Sequence, residues 1–278
     1  MKIFVLGHTG MLGRYVSSYF MTKGFDVIGL DRNDINAMNS NESQLRAILF
    51  HKGMRENDVV INCMGLIKQK KEVTDLEFIL VNSVFPRVLA NVCESEKSRL
   101  IHITTDCVFS GLRGLYDEDD IHDPTDMYGK SKSFGEPLNC TVVRTSIIGE
   151  ELKGKLSFIE WVKSNQDKTV NGFDNWVWNG ITCLQFAKVC EEIIEKNLWW
   201  QGVRHIFTPE PIVKSNLVEL VSQIYKLNVA VNHMQAPEKS DRSLSTIYTD
   251  IPIMIPTLET QLYHLYDYQN ILFGDFME

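Results

Sequence analysis

The chain has 278 residues, 44% hydrophobic and 23% charged, with a formal net charge of −8. That length holds one large α/β domain, or one domain with a smaller lobe. The acidic balance argues against a nucleic-acid surface and against anionic membranes, while leaving room for an anionic small molecule at a helix N-terminus or a few local cations.

The opening Met1–Gly7 does not read as a signal peptide, because its apolar run is short and glycines follow at once. No run of about 18 apolar residues suggests a membrane span. Six scattered cysteines (Cys63, Cys93, Cys107, Cys140, Cys183 and Cys190) form no C-x-x-C pair. They are expected to be reduced, mostly buried thiols of a cytoplasmic protein. Neither they nor the seven histidines show a metal-ligand spacing, so no metal is expected.

In chain order, Lys2–Leu6 reads as a strand, Met11–Lys23 as a helix and Asp26–Leu30 as a strand. Val59–Asn62 is a third strand, and a long helix follows over Asp75–Glu96. Leu100–Thr104 and Thr141–Arg144 are further strands, with a helix carrying Tyr128 between them. This alternation predicts an α/β fold: a Rossmann-type, doubly wound parallel sheet with helices on both faces. Residues 1–150 are expected to form this dinucleotide-binding domain. Beyond about residue 150 the rhythm changes. Ser157–Ser164, Cys183–Glu195, Lys214–Tyr225 and Thr257–Leu265 read as helices, and Val203–Phe207 and Val229–Val231 as strands. Residues 151–278 are therefore expected to form mainly a smaller α/β substrate lobe, with a soft boundary because Cys183–Glu195 can pack on the main sheet.

Gly7-His8-Thr9-Gly10-Met11-Leu12-Gly13 follows the first strand and opens the first helix. Glycines there allow a tight turn, close approach of backbone to phosphate, and close helix packing, and the helix N-terminus offers N–H groups to a pyrophosphate. The strand before and the amphipathic helix after supply the context that a glycine pattern alone lacks. Asp31, at the end of the second strand, can accept hydrogen bonds from the adenosine ribose of NAD, whereas Arg32 can meet the 2′-phosphate of NADP. The two leave NADH and NADPH open, with a slight preference for NADPH. Asn62-Cys63-Met64-Gly65 ends the third strand with small residues at the carboxyl edge, where ligands of open α/β sheets bind.

Tyr128 and Lys132 are four residues apart, so on a helix they share one face. A lysine ammonium beside a phenol favours phenolate and is expected to draw the tyrosine pKa down from its usual ~10. Such a tyrosine can exchange a proton with a carbonyl or alcohol oxygen. Thr105, at the carboxyl end of its strand, can hydrogen-bond the same oxygen.

This hydroxyl, tyrosine and lysine set behind a glycine turn resembles short-chain dehydrogenases/reductases. Within the extended branch, the chain is most similar to dTDP-4-dehydrorhamnose reductases. The resemblance rests on Gly7–Gly13, Asn62–Gly65, Val81-Asn82, Thr104–Phe109, Tyr128–Lys132 and Arg144–Ser146, and covers the first half in order. It implies NADPH or NADH as cofactor, a nucleotide-sugar substrate and a possible homodimer. It implies reduction of the C4 carbonyl of a 4-keto-6-deoxyhexose linked to dTDP or UDP. Tyr128 would give the proton, Thr105 would hold the oxygen, Lys132 would tune the tyrosine and bind the nicotinamide ribose, and Asn82 would join a relay through water. Asp106, Cys107 and Ile147 fall near the expected sugar pocket. Cys107 stands where the reductases usually carry tyrosine, and Ile147 where they usually carry an aromatic residue, which puts rhamnose specificity in doubt. Arg204, Lys214 and Arg242 are candidate cations for the diphosphate. Lys214 opens a helix, where its charge opposes the dipole unless a ligand compensates. The run Lys68–Lys71 borders the same region. A nucleotide-sugar epimerase and a non-catalytic reductase-like subunit are the alternatives. A dehydratase fits less well, because Cys107 replaces the acid that would follow Asp106.

Overall fold

The computed structural model describes residues 1–69, 72–152, 154–250 and 252–274. The first half runs β1 (Lys2–Leu6), α1 (Met11–Thr22), β2 (Asp26–Leu30), α2 (Glu42–His51), β3 (Val59–Asn62), α3 (Asp75–Ile79), α4 (Phe85–Ser95), β4 (Arg99–Thr105), α5 (Met127–Phe134) and β5 (Thr141–Thr145). The second half contributes β6 (Ile147–Ile148), α6 (Phe158–Ser164), β7 (Thr169–Phe173), β8 (Trp176–Trp178), β9 (Ile181–Thr182), α7 (Cys183–Glu195), β10 (Gly202–His205), β11 (Ile212–Val213), α8 (Lys214–Ile224), β12 (Ala230–Met234), β13 (Ser240–Asp241) and α9 (Leu258–Gly274).

Six strands form one parallel sheet in the order β10-β5-β4-β3-β1-β2. Both faces are covered, so the strands read as apolar runs rather than alternating patterns. Ile3, Val5, Ile101, Ile103 and Val143 face the core that includes α1 and α7. Phe4, Leu6, Leu100 and Val142 face the core that includes α2 and α4. The sheet is a Rossmann-type α/β sheet.

Several elements differ from the sequence expectation. The long helix from Asp75 contains a π-helical turn over Leu80–Val84, between α3 and α4. By length and composition the continuous run Asp75–Ser95 could cross a membrane, yet more than half of it is buried here, as in a core helix. Helix α2 had no counterpart in the expected elements, although Asn41 and Gln44 form a reciprocal capping box at its start. Residues 202–205 do not stay with the second half. β10 lies beside β5 at the edge of the main sheet, and α7 packs on α1, so the stretch from 183 to 205 returns to the first body. What remains apart is built on short sheets, β11-β8-β13 and β12-β7.

Candidate active site

The glycine turn has the geometry that its sequence implies. Gly7 adopts a positive φ of 77°, and its N–H donates to the Leu30 carbonyl at 2.7 Å. A Cβ on Gly13 would sit 2.2 Å from the Gly7 carbonyl oxygen, so only glycine allows α1 to start this close to the turn. Gly10 is the N-cap, and no side chain caps the helix there. With Thr9, Met11 and Leu12 around it, this end presents N–H groups in the manner of an anion cradle. Asp31 follows β2 directly, and its carboxylate accepts from the Asn33 N–H at 2.7 Å and the Asn33 amide at 3.2 Å. Arg32 is exposed.

Asn62 is fully buried at the end of β3. Its amide nitrogen bonds the His102 Nδ1 at 3.1 Å, and its oxygen accepts from the Met64 N–H at 3.1 Å. This shapes the Cys63-Met64-Gly65 loop. Met64 packs against Gly7, and Cys63 is half-buried, with burial pushing its thiol upward. A Cβ on Gly65 would lie 3.1 Å from the Lys132 Nζ and 3.4 Å from the Asn82 Oδ1, which brings the loop, the π turn and α5 to one point.

Helix α5 is seated unusually close to its neighbours. Gly129 lies against the Cys107 carbonyl, where a Cβ would approach to 2.3 Å. Gly135, which caps the other end, lies against the Asn82 carbonyl, where a Cβ would approach to 1.7 Å. Between them, the Asn82 amide donates to the Ser131 Oγ at 3.1 Å and the Leu66 carbonyl at 3.0 Å, while its Oδ1 accepts from the Leu66 N–H at 2.9 Å. Ser83 Oγ donates to the Ser131 carbonyl at 2.6 Å. Asn82 is thus a buried clamp in the π turn, with both amide hydrogens committed. π turns of this kind recur at functional sites.

Tyr128 is half-buried on this helix, with Phe78 edge-on at 6.4 Å. Its phenol does not follow the expected shift. Burial pushes its pKa up, the neighbouring Cys107 and Asp106 push the same way, and a hydrogen bond with Thr105 only partly opposes them. Lys132 does not figure among the groups that shift the phenol; it is itself buried, and burial lowers its own pKa to about 8. The phenol is therefore held protonated, which suits a donor to a developing oxyanion. Thr105 is 8% exposed. It donates to the Asp106 Oδ1 at 3.1 Å and accepts from the Cys107 N–H at 3.2 Å.

The lobe completes the site. Burial raises the Asp106 carboxyl, while Arg242 and Lys214 pull it down. Lys214 opens α8 with its ammonium over the Phe158 and Trp178 rings, at 4.9 and 5.1 Å. Burial lowers its pKa to about 8, and Asp106 and Cys107 oppose that fall. Arg242 donates through Nε to the Phe109 carbonyl at 2.8 Å. Cys107 is half-buried, its thiol pushed up to about 12 by burial and by Asp106.

The structure thus brings Thr105, Asp106, Cys107, Tyr128, Lys132, Lys214 and Arg242 to the carboxyl edge of the sheet. Two other candidates have contacts of their own. Ile147 packs with the larger apolar core from β6, beside Ile181 of β9. Arg204 on β10 is taken by Asp250 at 2.6 Å and lies 4.2 Å over the Tyr248 ring. Lys68 stands 3.8 Å from Asp126, while Lys70 and Lys71 lie outside the described residues. Sequence reasoning missed Phe158, Gly129 and Gly135. The glycines could have been noticed as two breaks in helical propensity, one between Tyr128 and Lys132 and one just after them. A cavity of about 300 Å³, lined by Arg99, Thr141 and Trp199, opens at the opposite, amino edge of the sheet.

Residues 1–245 match the family described as RmlD substrate binding domain. Among curated proteins, the chain is 30% identical to the dTDP-4-keto-6-deoxy-D-glucose reductase of Streptomyces niveus over 151 residues, 51% of each chain. It is 27% identical to the dTDP-4-dehydrorhamnose reductase of Aggregatibacter actinomycetemcomitans over 227 residues, 76% of this chain and 74% of that one. The chain spans about half the length of the first curated relatives it matches. A solved dTDP-4-dehydrorhamnose reductase of Bacillus anthracis in complex with NADP shares the fold, with a TM-score of 0.78 at 19% identity over 96% of this chain and 99% of that one. The chain belongs to the RmlD substrate binding domain family, and with it to the extended short-chain dehydrogenases/reductases.

Proposed function

We propose that this protein is an NAD(P)H-dependent reductase of the 4-keto group of a nucleotide-linked 4-keto-6-deoxyhexose, acting in the cytoplasm in deoxysugar or polysaccharide biosynthesis. The observation that carries the reading is that Thr105 meets Tyr128 on the same helix that brings Lys132 against Gly65, at the edge of the sheet that also holds the glycine turn. The Gly7–Gly13 cradle, with no side chain capping α1, fits a dinucleotide pyrophosphate. Bound NADPH or NADH supplies the hydride. Tyr128, held protonated, gives its proton to the C4 oxygen as charge develops there. The Thr105 hydroxyl shares that oxygen and orients the carbonyl. Lys132 carries positive charge below about pH 8 and stabilises the phenolate left behind. Lys214 and Arg242 face the buried Asp106 from the lobe and supply cations for the diphosphate.

The names of the curated reductases support this substrate class. The test is a screen of NADPH and NADH oxidation against 4-keto-6-deoxyhexose nucleotides on dTDP and UDP, with the product's C4 configuration read by NMR. Oxidation in proportion to product supports the reading. Interconversion of sugars without net cofactor consumption would establish an epimerase instead, and cofactor binding without turnover of any keto sugar would point to a non-catalytic subunit.

A further inference from the structure

Arg144 is among the largest fully buried side chains of the protein, at 2% exposure, and the mechanism above makes no use of it. It stands on β5 between Thr104 of β4 and His205 of β10. Its Nε and Nη2 fork onto the Glu136 carboxylate at 3.0 and 2.7 Å, and Glu136 directly follows the cap of α5. Nη2 also donates to the His122 Nε2 at 2.7 Å, and Nη1 donates to the His205 Nε2 at 2.8 Å. A guanidinium has no acceptor, so both imidazoles receive through Nε2 and carry their proton on Nδ1. Those protons have defined destinations. His122 Nδ1 donates to the Ser133 Oγ on α5 at 2.6 Å. His205 Nδ1 donates to the Ser245 carbonyl at 2.7 Å.

Ser245 belongs to a strap of chain, residues 240–247, that carries Arg242. The strap runs along the segment after β4. Tyr116 N–H donates to the Ser243 carbonyl at 2.9 Å, and Ser245 N–H donates to the Tyr116 carbonyl at 2.7 Å. Glu118 accepts from the His205 N–H at 2.7 Å, the Thr246 hydroxyl at 2.7 Å and the Ile247 N–H at 3.0 Å. The Phe109 ring lies 5.2 Å under the guanidinium and stacks on Tyr116 at 4.3 Å. Arg144 is therefore bonded to the Tyr128 helix through Glu136 and His122, and to the Arg242 strap through His205.

We propose that Arg144 is a positioning residue that fixes the helix bearing Tyr128 and the strap bearing Arg242 in one relation across the substrate site; this rests on the roles proposed above for those two residues. A buried ion pair adds little net stability over a well-packed apolar substitute, and its best-attested use is to specify one arrangement. Two neutral imidazoles complete the donor set of the guanidinium without adding charge. Their Nδ1 protons extend the fixed geometry outward in two directions.

The test uses His205→Leu, which cuts the strap arm, and His122→Leu, which cuts the helix arm. Both leave the Arg144–Glu136 pair intact. His205→Gln offers an amide that can accept from Arg144 and donate to the strap. Steady-state kinetics with NADPH and a 4-keto-6-deoxyhexose nucleotide are read together with backbone hydrogen exchange of residues 240–247 and 127–134. The expected result for His205→Leu is a KM for the sugar nucleotide raised about 3- to 20-fold, the loss of one or two hydrogen bonds, with kcat nearly held and faster exchange in 240–247. His122→Leu is expected to lower kcat and speed exchange in 127–134, and His205→Gln to restore most of the KM. Unchanged exchange in both segments, or an equal fall of kcat and rise of KM in both leucine variants with no rescue by Gln, would overturn the proposal. If the unsubstituted protein turns over no keto sugar, the functional reading fails, and the exchange pattern alone still decides whether Arg144 links helix and strap.

Discussion

On the sheet side of the site, Thr105, Tyr128 and Lys132 stand on elements held by backbone contact. On the lobe side, Lys214 and Arg242 are held by aromatic rings and a strap. Gly129 and Gly135 let α5 touch the Cys107 and Asn82 carbonyls directly, so the groups proposed for proton transfer have little freedom to shift. Lys214 instead rests over Phe158 and Trp178, and Arg242 hangs from the Phe109 carbonyl. The contrast fits a division of labour in which the reacting groups demand sub-ångström placement, while the groups that choose the sugar nucleotide sit on segments free to vary.

Four changes would break or sharpen this contrast. Tyr128→Phe removes the proton donor and is expected to cost about 10²–10⁴-fold in turnover while leaving cofactor affinity near normal. Stopped-flow turnover and fluorescence titration with NADPH check it, and near-normal reduction would end the role assigned to the phenol. Gly135→Ala forces a methyl group into the Asn82 carbonyl, so α5 or the π turn must move. The expected loss is about 1–3 kcal/mol of stability together with a fall in kcat, read by thermal or urea unfolding and by turnover. On the other side of the site, Lys214→Met and Arg242→Met should each raise the KM for the sugar nucleotide by about tenfold with smaller effects on kcat, the pattern for lost binding of a charged ligand. Steady-state titration of the sugar nucleotide measures both terms.

The smallest effect is one of pH. Lys132 is lowered to about 8 by burial, so its charge is lost as pH rises through that value. On the role proposed for that cation, stabilising the phenolate formed on proton transfer, kcat for reduction should fall across that range. The Lys132→Arg variant, whose charge persists, should move the basic limb out of the accessible range even if its rate is lower. A pH profile of both proteins decides it.

Much of the sheet side was legible in the sequence, because its signals are local. A glycine turn following a strand, a hydroxyl at a strand end and a tyrosine–lysine pair at helical spacing each carry their own physics. Their meeting point follows from the parallel topology. The Tyr128 pKa was misread for a definite reason. Spacing reveals a neighbouring charge but not burial, and here burial of the phenol itself dominates, with Cys107 and Asp106 adding to it. The lobe side was less legible because its contacts span long separations. Arg242 meets Phe109 across 133 residues, and β10 returns to the main sheet after the chain has left it. Ile147, next to the Arg144–Ser146 motif, is half-buried on β6 against the larger apolar core, which Cys63, Phe158 and Trp178 also join. The Arg144 network was hidden for the same reason, since its two histidines show no sequence pattern and acquire meaning only around a buried guanidinium.

The central claim is that this site transfers a hydride to a sugar carbonyl while Tyr128 supplies the proton. The most direct measurement follows deuterium from NADPH labelled at the transferable position of the nicotinamide into a 4-keto-6-deoxyhexose nucleotide, with the product read by NMR. The account predicts one deuterium at C4 for each cofactor oxidised, and loss of that transfer in Tyr128→Phe. Conversion of the sugar with no deuterium at C4, or full transfer by the phenylalanine variant, would contradict it.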